Sequence, residues 1–383
     1  MRPPDPLRPP ARILLGPGPS AVDPRVLAAS SHTLLGHLDP DFLAVMDDVA
    51  AMLREVFRTS NEMTLAVPGT GTAGMEAAVV NLVEPDDVVV VGVAGYFGAR
   101  MAEMARRAGG KVVAVEAPWG EPVPSEAIGS ALRDVPGAVK VVGIVHAETS
   151  TGVLQPLEEI LALARDRGAF TLVDAVTSLG GVPLDVDALG IDVCYGGTQK
   201  CIGSPPGLAP LTASPRAVAA IAARRAPPAS FYLDLKLLSA YWGRERTYHH
   251  TAPIQSMYAL REALRLLLDE GLEARWDRHT RCHDQLRRGT EGLGLEFLVA
   301  PPHRLPVLNA LRIPVGVDDR ETRRRLLQEH HIEVGGGLGP LAGRIWRVGL
   351  MGYSAREENV ARLLTALRII LGAPRMSKPP RRS

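Results

Sequence analysis

Four stretches of this 383-residue chain place polar residues directly after apolar runs. In an open α/β sheet, ligands bind at such carboxyl ends of strands. The first stretch is Pro68-Gly69-Thr70-Gly71-Thr72-Ala73-Gly74. Glycines let backbone wrap an anion, and hydroxyls and free amides at a helix N-terminus donate to it. The same residues also suit a plain glycine-rich turn with a threonine N-cap. No lysine follows, so the spacing is not that of a nucleoside-triphosphate P-loop. The second stretch, His146-Ala147-Glu148-Thr149-Ser150-Thr151-Gly152, either lines a cavity or forms a turn, with its histidine more readily read as a hydrogen-bonded structural residue than as a catalyst. The third, Leu172-Val173-Asp174-Ala175-Val176-Thr177-Ser178, ends an apolar run in a carboxylate. Burying that group unpaired is costly, so it faces a cavity, meets a cation or caps a turn. The fourth is Gly196-Gly197-Thr198-Gln199-Lys200-Cys201. Its lysine is either a surface residue or a desolvated amine suited to a Schiff base.

Each signal is ambiguous alone. Together they set a phosphate cradle, an aspartate and, 26 residues later, a lysine in one order along the chain. Those are the parts pyridoxal phosphate requires: an anchor for the phosphate, a carboxylate to keep the ring nitrogen protonated, and an amine to hold the aldehyde as an imine.

The elements that must position these groups are legible as alternation. Strand candidates run over Met63–Val67, Val88–Val93, Lys111–Val115, Lys140–Val145, Phe170–Asp174, Ile191–Tyr195 and Leu208–Leu211. Near-continuous apolar, valine-rich runs suit strands buried on both faces of a mainly parallel sheet. Helical stretches such as Thr72–Leu82, Phe97–Arg107 and Leu157–Arg167 lie between them, giving the β-α-β-α pattern of a doubly wound α/β domain. Ahead of the first strand, Leu43, Met46, Val49, Ala50, Leu53 and Phe57 recur at helical spacing. After Gly271 the pattern predicts strands at Leu295–Val299, Leu308–Ile313 and Ile345–Val348, with helices at Arg320–His330 and Glu357–Leu371. This reads as a small α+β domain. The organisation expected is an N-terminal arm (1–20), a large domain (21–270), a small C-terminal domain (271–373) and a disordered tail (374–383), with the boundary somewhere within Ser256–Leu286.

Composition narrows the function classes. A chain of this length exceeds the roughly 250–300 residues that one core serves. Hydrophobic residues at 46% and charged residues at 22% are ordinary for a soluble protein. The net charge of +1 supplies no basic field for nucleic acid. No charge-free apolar run is long enough to span a bilayer. Three cysteines, Cys194, Cys201 and Cys282, are too few and too scattered for a disulfide framework or a tetrahedral zinc site. The start, MRPPDPLRPP, has no signal-peptide apolar stretch. These features point to a cytoplasmic enzyme that holds no metal and engages neither nucleic acid nor membrane.

At this point the sequence resembles a known family, the class V aminotransferases of pyridoxal-phosphate fold type I. Within them it is similar to the alanine–glyoxylate and serine–glyoxylate (or serine–pyruvate) branch. The most specific pieces are GHLDPDF, HAETSTGVLQPL, LVDAVTSLGG, GGTQKCIGSPPGLAP, YHHTAPIQSMYALREAL, and GGLGP followed by IWRVGLMG. The resemblance implies a seven-stranded large domain, a smaller C-terminal domain and a homodimer with shared sites. Carried over position by position, it implies that Lys200 is the Schiff-base lysine and Asp174 the partner of the pyridinium nitrogen. Thr70, Gly71, Thr72 and Gln199 match the phosphate-binding positions. Phe97 falls where an aromatic, often tryptophan, stacks on the ring; phenyl keeps the stacking surface but loses any indole hydrogen bond. Val176 matches the residue on the opposite ring face, and Thr149 a hydroxyl near ring and substrate. Tyr248 and Thr251 match residues reaching the phosphate from the neighbouring subunit. Arg347 matches the arginine taking the substrate carboxylate, a role suited to a bidentate guanidinium. His37 and Tyr248 would narrow the pocket on the side-chain face. The implied reaction is a two-stage transamination from a small neutral amino acid, alanine or serine, to glyoxylate or pyruvate. Three alternatives stand beside it. An (S)-ureidoglycine–glyoxylate aminotransferase shares GGTQKC and IWRVGLMGYS but tends to carry amides where this chain has His37 and Tyr248. A cysteine desulfurase needs a mobile cysteine that Arg312–Gly352 lacks. A non-catalytic cofactor-binding protein is disfavoured by intact Lys200, Asp174 and Arg347.

Overall fold

A computed structural model of the chain describes residues 4–372. The valine-rich runs become seven strands of one sheet: β1 (Met63–Pro68), β2 (Val88–Val93), β3 (Lys111–Glu116), β4 (Val141–Val145), β5 (Phe170–Asp174), β6 (Val193–Tyr195) and β7 (Leu208–Ala213). Their spatial order is β1-β7-β6-β5-β4-β2-β3. β7 runs antiparallel to both its neighbours, β1 and β6, and the other adjacent pairs are parallel. Helices cover both faces, which is why every residue of β1, β4 and β7 is buried. On one face α1 (Pro40–Phe57) contributes Phe42, Met46, Val49, Leu53 and Phe57 to the core. Asp39 caps that helix by accepting from the Asp41 amide at 2.9 Å, with Pro40 in the first turn. On the other face α2 (Gly71–Leu82) and α3 (Tyr96–Arg107) bury Met75, Ala78, Leu82 and Met101.

The long helical stretch predicted over Ser256–Leu286 is two helices, α4 (Ile254–Glu270) and α5 (Leu272–Glu291). They part at Gly271, whose φ of 84° is readily adopted only by glycine. Beyond them β8 (Leu308–Arg312), β9 (Gly335–Gly336) and β10 (Ile345–Gly349) form an antiparallel sheet in the order β8-β10-β9. α5 and the closing helix α6 (Glu357–Leu371) share a separate core with it, through Cys282, Leu286, Val348, Leu363 and Leu367.

One predicted strand does not form. Leu295–Val299 makes only an isolated bridge, Phe297 to Leu311. The chain then turns into Pro301–His303, where two successive prolines remove the amides a ladder would need. The part of the N-terminal arm from Ile13 onward is built into the fold. Ile13–Leu14 pairs in parallel with Ile332–Glu333, and the Gly349 amide donates to the Leu15 carbonyl at 2.8 Å. The tail predicted over 374–383 lies outside the described residues.

Candidate active site

β5 and β6 are in register with Asp174 opposite Tyr195, so both side groups emerge at one level of the sheet. Asp174 is buried; its Oδ1 accepts from the Val176 amide at 2.8 Å and its Oδ2 from the Tyr195 hydroxyl at 2.9 Å. Burial pushes its carboxyl up to about 6, against the pull of those two donors.

Past β6 the chain makes a short turn, Thr198–Ile202, within which Lys200 leaves helical angles. The turn is pinned from several directions. Thr198 Oγ1 donates to the carbonyls of Pro205 and Leu208, and Ser20 Oγ donates to the Lys200 carbonyl at 2.8 Å. The buried Lys200 amine donates to the Pro17 carbonyl. The Gly18 position favours glycine here, because its φ of 108° is one that side chains rarely adopt, and a Cβ on it would crowd the Lys200 side chain. Burial drives the amine down to about 8, the Arg347 charge adding to the effect and Cys201 and Asp174 opposing it.

Arg347 reaches the same place from β10. Its Nε donates to the Gly336 carbonyl at 2.7 Å and its Nη1 to the Thr149 carbonyl at 3.1 Å, leaving Nη2 without a hydrogen bond among the described residues. Burial lowers this guanidinium to about 10, opposed by the charge of Glu148. Thr149 Oγ1 pairs with Thr177 Oγ1 at 2.7 Å.

The glycine-rich stretch also converges on the site. Thr70 precedes α2 without using its hydroxyl as a cap. A Cβ on Gly71 would stand 2.6 Å from Val176 Cγ2, so glycine keeps that approach open. A Cβ on Gly197 would touch both Val176 Cγ1, at 3.1 Å, and Gln199 Oε1, at 3.2 Å. Gln199 Oε1 is buried with no partner among the described residues. Thr72 Oγ1 accepts from Arg100 Nη1 at 2.9 Å. Phe97 sits at the start of α3, its amide held by Glu148 Oε2 at 3.1 Å.

Three further predicted residues lie nearer the surface. His37 and Tyr248 pair their rings at 5.1 Å, and Tyr248 is 56% exposed. Thr251 is exposed too. Among the described residues no hydrogen bond joins any of the three to Lys200, Asp174 or Arg347. Two residues at the site were not singled out from sequence. Tyr195 reads as an ordinary apolar strand position, and only its place at the end of the strand next to Asp174 marks it. Glu148 is a fully buried carboxylate, and four donors converge on it: the amides of Phe97, Gly98 and Ser150 and the Ser150 hydroxyl. Its signal was an acidic residue inside a buried polar run.

Residues 18–362 match the sequence model of the class V aminotransferases. The chain belongs to that family. It is 52% identical to the crystal structure of an alanine–glyoxylate aminotransferase from Nostoc sp., with a TM-score of 0.94 over 96% of this chain and 97% of that one. It is 40% identical to the (S)-ureidoglycine–glyoxylate transaminase of Bacillus subtilis, over 94% of this chain and 91% of the relative. The alanine–glyoxylate aminotransferase of Rattus norvegicus is also 40% identical, over 95% and 88%. The protein is therefore a transaminase of fold type I, and the cofactor of that family is pyridoxal phosphate. The residues present fit that group. A buried amide oxygen on Gln199 without a partner among the described residues, a glycine at Gly71 where a Cβ would crowd Val176, a buried carboxylate and a buried amine make up the set.

Proposed function

We propose that this transaminase moves the amino group of a small neutral amino acid, alanine or serine, to glyoxylate or pyruvate, working as a homodimer. The observation that carries the reading is the convergence of Lys200, Asp174 and a half-engaged Arg347 at the strand ends. Pyridoxal phosphate supplies an aldehyde carbon to take up the amino group and a ring to accept electrons. Lys200, driven toward neutrality by burial, is the proton carrier at the reacting carbon, since an amine near its pKa can both take and return a proton. Asp174, oriented by Tyr195 and the Val176 amide, would hold the ring nitrogen's proton. Thr70, Gly71, Thr72 and Gln199 would hold the phosphate, with Phe97 and Val176 on the two ring faces and Thr149 at the ring edge.

Arg347 would grip the substrate carboxylate through its fork. We take the chain to divide near Gly271, where α4 and α5 part. Arg347 then comes from the smaller domain and Lys200 from the larger, so the substrate bridges the two. The exposure of Tyr248 and Thr251 supports a role across a two-fold interface, completing a neighbour's phosphate site, with His37 beside Tyr248 at the pocket mouth.

A second reading has (S)-ureidoglycine as donor. It is favoured by the Bacillus subtilis relative, which matches this chain as well as the rat enzyme does. Both readings share glyoxylate as acceptor. A donor panel of alanine, serine, (S)-ureidoglycine and glutamate against glyoxylate and pyruvate separates them. The first reading expects alanine or serine to lead in kcat/KM. A lead of about tenfold for ureidoglycine, roughly 1.4 kcal/mol at the transition state, would transfer the assignment to the second.

A further inference from the structure

We infer that Arg100 is a positioning residue for the cofactor phosphate, acting through Thr72; the inference rests on the cradle described above. Arg100 lies on α3, one turn after Phe97, and is partly buried. Its Nη1 donates to Thr72 Oγ1 at 2.9 Å. Its guanidinium carbon lies 5.1 Å from the Phe97 ring centroid and 5.1 Å from that of Tyr96. Among the described residues no carboxylate pairs with it, whereas many other arginines of the chain have one, such as Arg106 and Arg107 on the same helix.

A threonine hydroxyl has one proton to give and two lone pairs to receive with. With Arg100 occupying a lone pair, the Thr72 proton is left to point away from the guanidinium and toward an anion at the N-terminus of α2. A hydroxyl that accepts from a cation is also polarised into a stronger donor. The glycine-rich stretch carries no lysine, so Arg100 supplies the nearby positive charge that the helix N-terminus provides only in part. The same guanidinium lies against the outer side chains of Tyr96 and Phe97, which hold it in place beside Thr72. From sequence it reads as one more arginine on an amphipathic helix.

The test uses full-length protein freed of cofactor, titrated with pyridoxal phosphate and, separately, with pyridoxal, which lacks the phosphate. Both are followed by the absorbance of the lysine adduct. Arg100→Met is expected to weaken pyridoxal phosphate by roughly tenfold to a hundredfold, the scale of a hydrogen bond to a charged group. Pyridoxal binding should stay within about twofold, and Arg100→Lys should recover part of the loss. The double variant with Thr72→Val should lose little more than the worse single variant, because both act on one hydroxyl. An Arg100→Met protein that binds pyridoxal phosphate normally, or that loses both ligands equally, overturns the inference. Full additivity with Thr72→Val overturns the route through Thr72. If Thr72→Val leaves pyridoxal phosphate affinity unchanged, the cradle itself has been misassigned and the inference falls with it.

Discussion

Lys200 shares its turn with a second set of charges. Next to it, the carbonyl of Cys201 accepts from Arg275 Nη2 at 2.5 Å. Arg275 and Arg278 in turn share Glu270, at 2.7 Å from Arg275 Nη1 and at 2.5 Å from Arg278 Nε. Burial works against the Glu270 carboxylate, but the Arg278 hydrogen bond and both guanidinium charges prevail and hold it down at about 2. Burial also lowers Arg275, yet its counter-charge is in direct contact. At the proposed active site the balance is reversed. Lys200 is pushed to about 8, Asp174 to about 6 and Arg347 to about 10, each toward its neutral form and each without an ion-pair partner among the described residues. One group of charges is paired and anchors the turn. The other is left short of partners on the same turn, as groups must be if a cofactor and a substrate are to complete them. Such a site costs stability, and the paired group beside it offsets part of that cost.

The largest effect should come from the unpaired side. Lys200→Ala is expected to keep the cofactor through its phosphate contacts while turnover falls toward the upper end of the roughly 10²- to 10⁴-fold range for losing a positioned acid–base group. Steady-state kinetics on the cofactor-loaded variant measure it, and near-normal turnover would falsify the proposed role. Asp174→Asn keeps shape and hydrogen-bonding reach but removes the charge. Its chemical step should slow by roughly 10²-fold, on the scale of one electrostatic contact at a reacting centre. Unchanged turnover and unchanged cofactor affinity would reduce Asp174 to a cap for Val176 and Tyr195.

On the paired side the expected readout is stability. Glu270→Gln leaves Arg275 and Arg278 without their shared anion. It should cost about 2–3 kcal/mol by urea unfolding at pH 7, less than a fully enclosed pair because Glu270 keeps some solvent contact. The folded carboxyl lies below its unfolded value. Its contribution is therefore whole above about pH 4.5 and is lost as pH falls toward 2. The gap between wild type and variant should close over that window. A gap that stays constant down to pH 2.5 would show that packing, not charge, holds the joint.

The two regions also differ in how far sequence reveals them. Asp174 stands out because a carboxylate ending an apolar strand is costly unless used, and Lys200 because it follows a strand among small and apolar residues; the seven strands themselves are largely apolar runs. Arg275, Arg278 and Glu270 carry no such mark. They sit on helices among many other charged residues, and only the break at Gly271 folds them onto the turn. Tyr195 and Glu148 were missed for related reasons. Tyrosine passes as a strand residue until the register sets it beside Asp174. A glutamate after a strand cannot be told from a surface group until the start of α3 arrives to donate to it. The strand expected from the apolar run Leu295–Val299 does not form, because the prolines that follow outweigh that local apolarity.

The smallest effect sharpens the comparison most, because it asks whether the unpaired amine is a burden before the cofactor binds. The folded Lys200 amine holds its proton only up to about pH 8, against the 10.5 of a free lysine. Between those values the unfolded chain binds the extra proton and the folded chain does not, so wild-type stability rises with pH across the window. Below pH 8 the full penalty is present. Lys200→Met fills similar space without charge, so its cofactor-free form should be more stable than cofactor-free wild type at pH 7. The gain should be about 1–2 kcal/mol after the lost hydrogen bond to the Pro17 carbonyl is set against relief from burying the ammonium. It should shrink from pH 8 upward, cross zero roughly one to one and a half pH units higher, and reverse by 10.5, where only the lost hydrogen bond is left. Adding pyridoxal phosphate should invert the order, since wild type gains a covalent link that the methionine variant cannot make. Paired denaturation curves at pH 7 and pH 10, with and without cofactor, read all four quantities. A methionine variant less stable than wild type at pH 7 without cofactor would mean that Lys200 is paired as well as Arg275 is, and the contrast between the two regions would collapse.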